Sequence, residues 1–277
     1  MTGIKRVGHA GTLDPEAAGV LPIMTGKATR LFDYLADKEK EYEAVVAFGS
    51  STDTQDATGS IIATGDDWPD ETRLRKAADQ LTGEITQVPS MYSAIKVQGK
   101  PLYIRARKGE TIEVPKRTVR IDEISILNEE PEHGFRIRVR CGRGTYIRTL
   151  CDDLGRICGC PAHMRSLTRT KSGAFQISDA MTLEEARALA DEGRLAEKLM
   201  PPDYPLGHLP RADAPAKMRK LAANGAKLPL LPGTETVAEG KPIRIYLDEQ
   251  FYGLVERSGD VLRWKVQIVP EAEEMNA

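Results

Sequence analysis

The sequence holds no apolar run long enough to span a membrane, and residues 1–7 carry no apolar segment of the kind a signal peptide has. No membrane partner is expected, and the cytoplasm is the expected compartment. Cysteine is sparse. Four of 277 residues, Cys141, Cys151, Cys158 and Cys160, are too few to staple a fold of this size with disulfides. Cys158 and Cys160 stand near His163, but the spacing matches no usual zinc pattern and no second ligand pair follows. The thiols therefore read as buried apolar groups, and no metal is expected. Internal repeats and a Gly-rich phosphate loop are also absent. Nor is there an overall basic excess, since the net charge is −2.

That average conceals a split. Residues 96–120 hold eight Lys or Arg against two acids, and residues 136–171 hold nine against two. Residues 32–86 reverse the balance, with thirteen acids against five bases. Such segregation fits one basic and one acidic face, although it also fits a set of solvated faces. The length suits two domains with a real core.

Strands and helices follow one another without a regular βαβ rhythm, which points to an α+β fold. A strand is expected over 41–48, a polar loop over 50–59 and a strand at Ile61 and Ile62. An amphipathic helix over 71–81 buries Leu74, Ala77, Ala78 and Leu81. Strands follow over 119–127 and 135–141. In the latter, Phe135, Ile137, Val139 and Cys141 alternate with Arg136, Arg138 and Arg140, a stripe that suits solvent or phosphate. Gly142 and Gly144 allow a tight turn into a helix whose stripe is Ile147, Leu150, Leu154 and Ile157. Residues 163–175 read as loop and strand. Thr182 and Glu185 make a capping box for a helix over 183–191. Residues 200–210 look like a linker, and 213–224 like one short helix. A strand-rich module follows at 236–238, 243–247, 251–256 and 261–269, with a disordered acidic end.

The densest stretch of signals is Gly8-His9-Ala10-Gly11-Thr12-Leu13-Asp14-Pro15-Glu16-Ala17-Ala18-Gly19-Val20-Leu21. Asp before Pro reads as a helix N-cap, giving a short helical turn over 15–21 and a further helix over 22–35. It also reads as a catalytic carboxylate on a stiff loop. Taken whole, the stretch resembles the active-site motif of TruB-type tRNA pseudouridine synthases, Gly-His-x-Gly-x-Leu-Asp-Pro-x-Ala-x-Gly-x-Leu, at every fixed position.

The resemblance continues in order through Tyr42, then Thr52-Asp53-Thr54-Gln55-Asp56-Ala57-Thr58-Gly59. It goes on through Pro89, Ser93, Ala94 and Lys96, then Gly144-Thr145-Tyr146-Ile147-Arg148, then Leu167-Thr168-Arg169-Thr170. It covers the chain to about Leu183. The tail is more weakly similar to a PUA-type RNA-binding module.

This resemblance implies a mixed, largely antiparallel catalytic sheet with flanking helices in residues 1–208. It implies a small strand-rich PUA-like module at 209–270 and a tail at 271–277. The implied reaction is isomerisation of uridine to pseudouridine in the T-loop of tRNA, at tRNA position 55. Asp14 is the implied catalytic carboxylate, with Arg148 as the cation that favours its charged form. On the flipped base, Tyr42 is implied to stack, and Tyr146 and Leu167 to line the pocket. His9 would fill the gap that the base leaves. Lys96, with Lys100, Arg105, Arg107 and Lys108, would contact phosphate of the T-loop and stem. The reaction involves no redox step or group donor, so no cofactor is expected, and a monomer is.

In the family a strand and a helix precede the first motif, so this chain is expected to be part of a longer natural one. Two other readings stay open. One is an RNA-binding or tRNA-folding protein without turnover, because those N-terminal elements are missing. The other is a nucleoside hydrolase or glycosylase, which also sets a carboxylate at a glycosidic bond.

Overall fold

In the computed structural model of the chain, residues 2–35 and 39–268 are described. They divide into two compact units. One comprises Thr12–Leu21 with Asp37–Ala180. The other comprises Met1–Gly11, Pro22–Ala36 and Met181–Ala277. The expected tail, 271–277, lies outside the described residues, as does Val269.

The first unit is built on a seven-stranded mixed sheet, so the fold is α+β as expected. Across the sheet the strands run Phe175–Gln176, Ala162–Ser172, Lys40–Phe48, Gly134–Cys141, Arg117–Glu130 and Gly83–Gln87, all pairing antiparallel. Ala18–Gly19 adds a short parallel partner to Ala162–Ser172. Lys40–Phe48 is rich in β-branched and aromatic residues and pairs on both edges, so its centre is buried on both faces. In Gly134–Cys141 the alternation holds. Phe135, Ile137, Val139 and Cys141 enter the core.

The three intervening arginines are ion-paired to Glu130, Glu43 and Glu123. Two of these pairs, Arg138 with Glu43 and Arg140 with Glu123, are direct cross-strand partners. The stripe is thus a charge-neutralised outer face.

Two helices complete this core. Glu71–Gln80 is capped by Asp70, which accepts from the Arg73 amide, and buries Leu74, Ala77 and Ala78. Ile147–Cys158 buries Ile147, Leu150 and Leu154 and ends on Gly159 in the left-handed conformation. Full burial of each large aliphatic side chain is worth roughly 2 kcal/mol. Gly155 lets this helix lie against the sheet strand, where a Cβ would come within 2.5 Å of the Ala162 Cβ. All four cysteines are buried and unpaired with one another.

The other unit holds a five-stranded sheet in the order Arg211–Asp213, Pro242–Leu247, Gln250–Ser258, Val261–Gln267 and Leu228–Pro229. Ile243, Ile245, Tyr252, Val255 and Leu262 form its core. The Leu183–Asp191 helix has the expected capping box. Among the described residues no helix is long and apolar enough to cross a membrane.

Five local expectations fail. Residues 15–21 form a turn and then the Ala18–Gly19 strand, because Gly19 takes φ +102° and Val20 donates to Arg169 O at 2.8 Å. Backbone spent on a sheet edge is lost to a helix. Residues 22–35 form a strand, a 3₁₀ turn and a four-residue helix instead of one helix. Residues 163–170 lie within the eleven-residue Ala162–Ser172 strand. Its two register shifts and buried Arg169 break the alternation a strand should show. Residues 213–224 are a strand end, a 3₁₀ turn and a five-residue helix, because Pro215 interrupts them. Residues 236–238 form turns, with Thr234 and Thr236 hydroxyls bonding back to Leu231 and Gly233 carbonyls.

Candidate active site

Asp14 opens a tight turn in which the Ala17 amide donates to its carbonyl at 3.0 Å. The Ala18–Gly19 strand then fastens this turn to the sheet. Arg169, only 1% exposed, donates from Nε to Val20 O at 2.7 Å, while its own carbonyl accepts from the Val20 amide. An added Cβ at Gly19 would lie 2.2 Å from Arg169 O. Only glycine permits this approach.

Arg148 is the second residue of the Ile147–Cys158 helix. Its Nη2 donates to Asp14 Oδ1 at 3.1 Å and its Nε lies 2.9 Å from Asp14 Oδ2, so the guanidinium fork faces both carboxylate oxygens with one hydrogen bond and one ion-pair contact. Nη2 also donates to Tyr92 O at 3.1 Å. Nη1 donates to Thr54 O at 3.1 Å and to Asp56 Oδ2 at 3.3 Å. The four hydrogen bonds occupy both Nη groups, while Nε faces Asp14 Oδ2 as an ion-pair contact. A cation in the first turn of a helix opposes the helix dipole, and two carboxylates offset that cost here. The Arg148 side chain is 8% exposed whereas that of Asp14 is 36% exposed, so the pair turns its carboxylate outward.

Asp56 sits in the loop between the Ser50–Thr52 and Ile61–Thr64 strands. Its Oδ1 accepts from the Thr54 and Thr58 hydroxyls at 2.7 and 2.6 Å and from the Thr58 amide at 3.0 Å. Burial works to raise its pKa. The Thr58 and Thr54 bonds and the Arg148 charge outweigh burial and hold it below its ordinary value. Gly59 closes this loop where a Cβ would meet Thr54 Oγ1 at 2.3 Å.

Tyr42 lies on the central strand, nearly buried and opposite Arg169. Burial pushes its phenol up against the pull of Arg169, and the Asp14 charge adds to the rise. Tyr146 is half-buried just before the Arg148 helix. Burial again raises its phenol, Arg117 and Arg148 pull it down, and Asp14 pushes it up. Asp14, Arg148, Tyr42 and Tyr146 therefore share one electrostatic neighbourhood. Leu167 is buried in the core opposite Ala44.

Lys96 stands exposed on a hairpin of Lys96–Val97 and Lys100–Pro101, whose two loop residues both take positive φ. Among the described residues, no hydrogen bond or ion pair joins it to Asp14 or Arg148. His9 is exposed on the Val7–His9 strand and belongs to the other compact unit. Among the described residues there is no cluster of three or more His, Cys, Asp or Glu that could hold a metal ion.

The sequence reading did not single out Asp56, Arg169, the Tyr92 carbonyl or Gln87. Asp56 and Arg169 stand inside motifs it quoted, which was the available signal.

Comparison with known proteins matches the family model for the TruB family pseudouridylate synthase N-terminal domain to residues 1–147. The model for the tRNA pseudouridylate synthase B C-terminal domain matches residues 148–207. A protein of Oceanobacillus iheyensis named tRNA pseudouridine synthase B is 46% identical over 232 residues, covering 82% of this chain and 76% of its own. A Cbf5-Nop10-Gar1 complex structure matches with TM-score 0.70 at 25% identity over 97% of this chain and 78% of the matched one. A chain from an H/ACA RNP bound to a substrate RNA containing 2'-deoxyuridine has the same fold, with TM-score 0.70 at 22% identity over 96% and 77%.

Proposed function

This chain belongs to the TruB family of pseudouridylate synthases, and on that premise we propose that it isomerises the T-loop uridine at tRNA position 55, with Asp14 as the catalytic carboxylate. The observation that carries the assignment is the forked Asp14–Arg148 pair, in which a buried cation holds a carboxylate that remains accessible.

The reaction breaks the bond between uracil N1 and the ribose, turns the base, and joins its C5 to the same ribose carbon. A proton leaves C5 and one is gained at N1. A carboxylate serves this sequence as nucleophile or as base. One Arg148 hydrogen bond and one ion-pair contact hold the two Asp14 oxygens, while its bonds to Asp56, Thr54 O and Tyr92 O keep the guanidinium in place during the reaction. The target base must leave its stack to reach Asp14. In this reading Tyr42 and Tyr146 supply flat partners and Leu167 an apolar wall, while His9 occupies the vacated position. Lys96 and the neighbouring basic residues meet tRNA phosphates, and the module at 209–270 holds RNA. The protein acts as a monomer in the cytoplasm, without a cofactor.

The test maps pseudouridine in tRNA treated with the purified protein and with Asp14→Asn. The unaltered protein is expected to convert one T-loop uridine without releasing uracil. Asp14→Asn should form none, while binding tRNA within about tenfold of the original, because the lost group acts on the reacting atoms. Free uracil would indicate a glycosylase. Binding without conversion by the unaltered protein would indicate an RNA-folding role.

A further inference from the structure

Gln87 ends the Gly83–Gln87 edge strand and is fully buried. A buried carboxamide needs partners for both its donor and its acceptor. Gln87 finds them on one residue. Its Oε1 accepts from the Tyr146 amide at 3.0 Å, and its Nε2 donates to the Tyr146 carbonyl at 3.2 Å. The side chain thus pairs with the Tyr146 main chain as a neighbouring strand would. Tyr146 has an extended backbone, φ −102° and ψ 106°, and no side chain caps the helix it precedes. The Leu150 amide donates to the same Tyr146 carbonyl at 3.0 Å. The clamp therefore grips the junction at which the extended chain becomes the helix. Two residues further on is Arg148.

We propose that Gln87 is a positioning residue that acts through the Tyr146 main chain. It sets the tyrosine ring and, in the first turn of the helix, the guanidinium that holds Asp14. This rests on the catalytic reading of Asp14, Arg148 and Tyr146 above. Gln87 touches no reacting atom. Its loss lets the junction relax, which misplaces two groups at once while leaving the basic surface intact. A displacement of about 1 Å in such a group lowers a chemical step by roughly 100-fold.

The test uses Gln87→Met in the full chain, which keeps the volume and removes both bonds. Hydrogen exchange read at the Tyr146 amide is expected to quicken by at least about tenfold, since that amide loses its acceptor. Single-turnover pseudouridine formation should slow by roughly 10- to 100-fold, with tRNA affinity within about threefold. Should Gln87→Met not fold, Gln87→Asn carries the same test. It keeps the carboxamide but is one methylene shorter and cannot hold both main-chain groups, so exchange should quicken and the rate fall in the same directions. An unchanged single-turnover rate in the folded variant, or a rate loss matched by an equal loss of affinity, overturns the proposal. If the unaltered protein forms no pseudouridine, the functional reading fails, and the exchange measurement alone then decides whether the clamp exists.

Discussion

Arg148 makes four hydrogen bonds from its two Nη groups and sets its Nε against Asp14. A lysine could supply the charge but not the planar fork that holds two Asp14 oxygens while reaching Asp56 and two carbonyls. Asp56 is the second anchor of that fork, and its depressed pKa gives it a signature in acid. A depressed carboxylate contributes stability above its unfolded value, taken as 3.8, and the contribution is lost as pH falls through the lower folded value. Asp56→Asn should therefore be less stable than the unaltered protein at about pH 7, and the gap should narrow toward about pH 3. Denaturant titrations at the two pH values check this. A gap of equal size at both would mean that the carboxylate's charge is irrelevant to the fold. The sequence displayed Asp53 and Asp56 in one motif but could not say which one faces Arg148. Asp53 instead accepts from the Ser60 amide at 2.9 Å.

At the scale of elements, the Ala162–Ser172 strand organises the site although it looked least like a strand. It carries Leu167 into the core, Arg169 toward Val20 and Tyr42, and the parallel edge that receives the Asp14 loop. Its polar residues and register shifts hid the period of two from any reading of the sequence. The seam with Ala18–Gly19 is a sharp test of this arrangement. Gly19→Ala would put a methyl group 2.2 Å from Arg169 O at a φ of +102°. The expected cost is about 3 kcal/mol or more in unfolding free energy, with loss of turnover that exceeds loss of tRNA binding. A normal denaturation midpoint for this variant would show that the loop is not held as described.

At the scale of the molecule, segregated charge was legible, but its use was not. Seventeen Lys or Arg in two segments looked like a basic face, yet Arg136, Arg138 and Arg140 are neutralised by glutamates on adjoining strands. Exposed ion pairs of this kind contribute little to stability and leave few counterions to release. The exposed bases near the Lys96–Val97 hairpin are the better candidates for phosphate contact. Arg105 is mostly buried and paired with Glu110, so with about four such contacts tRNA affinity should fall with salt at a log–log slope of roughly −3. Lys96→Gln should flatten that slope by about one, whereas Arg138→Gln should leave it unchanged. Equal effects from the two variants would mean that the paired stripe also meets RNA.

The linear sequence determined the residue types, the periodic helices at 71–81 and 147–158, the alternating strands, the capping box and the ordered motifs that mark the family. Those signals are local or positional, because helix and strand periods and caps act within a few residues. Tertiary structure alone decided the rest. It chose a sheet edge over a helix for residues 18 and 19, buried the charge of Arg169, and aimed Asp56 at Arg148 across 92 positions. It also let Gln87 grip Tyr146 across 59. Each of these satisfies a buried polar group with a partner distant in sequence, and nothing in the local pattern of a chain records where such a partner will be found.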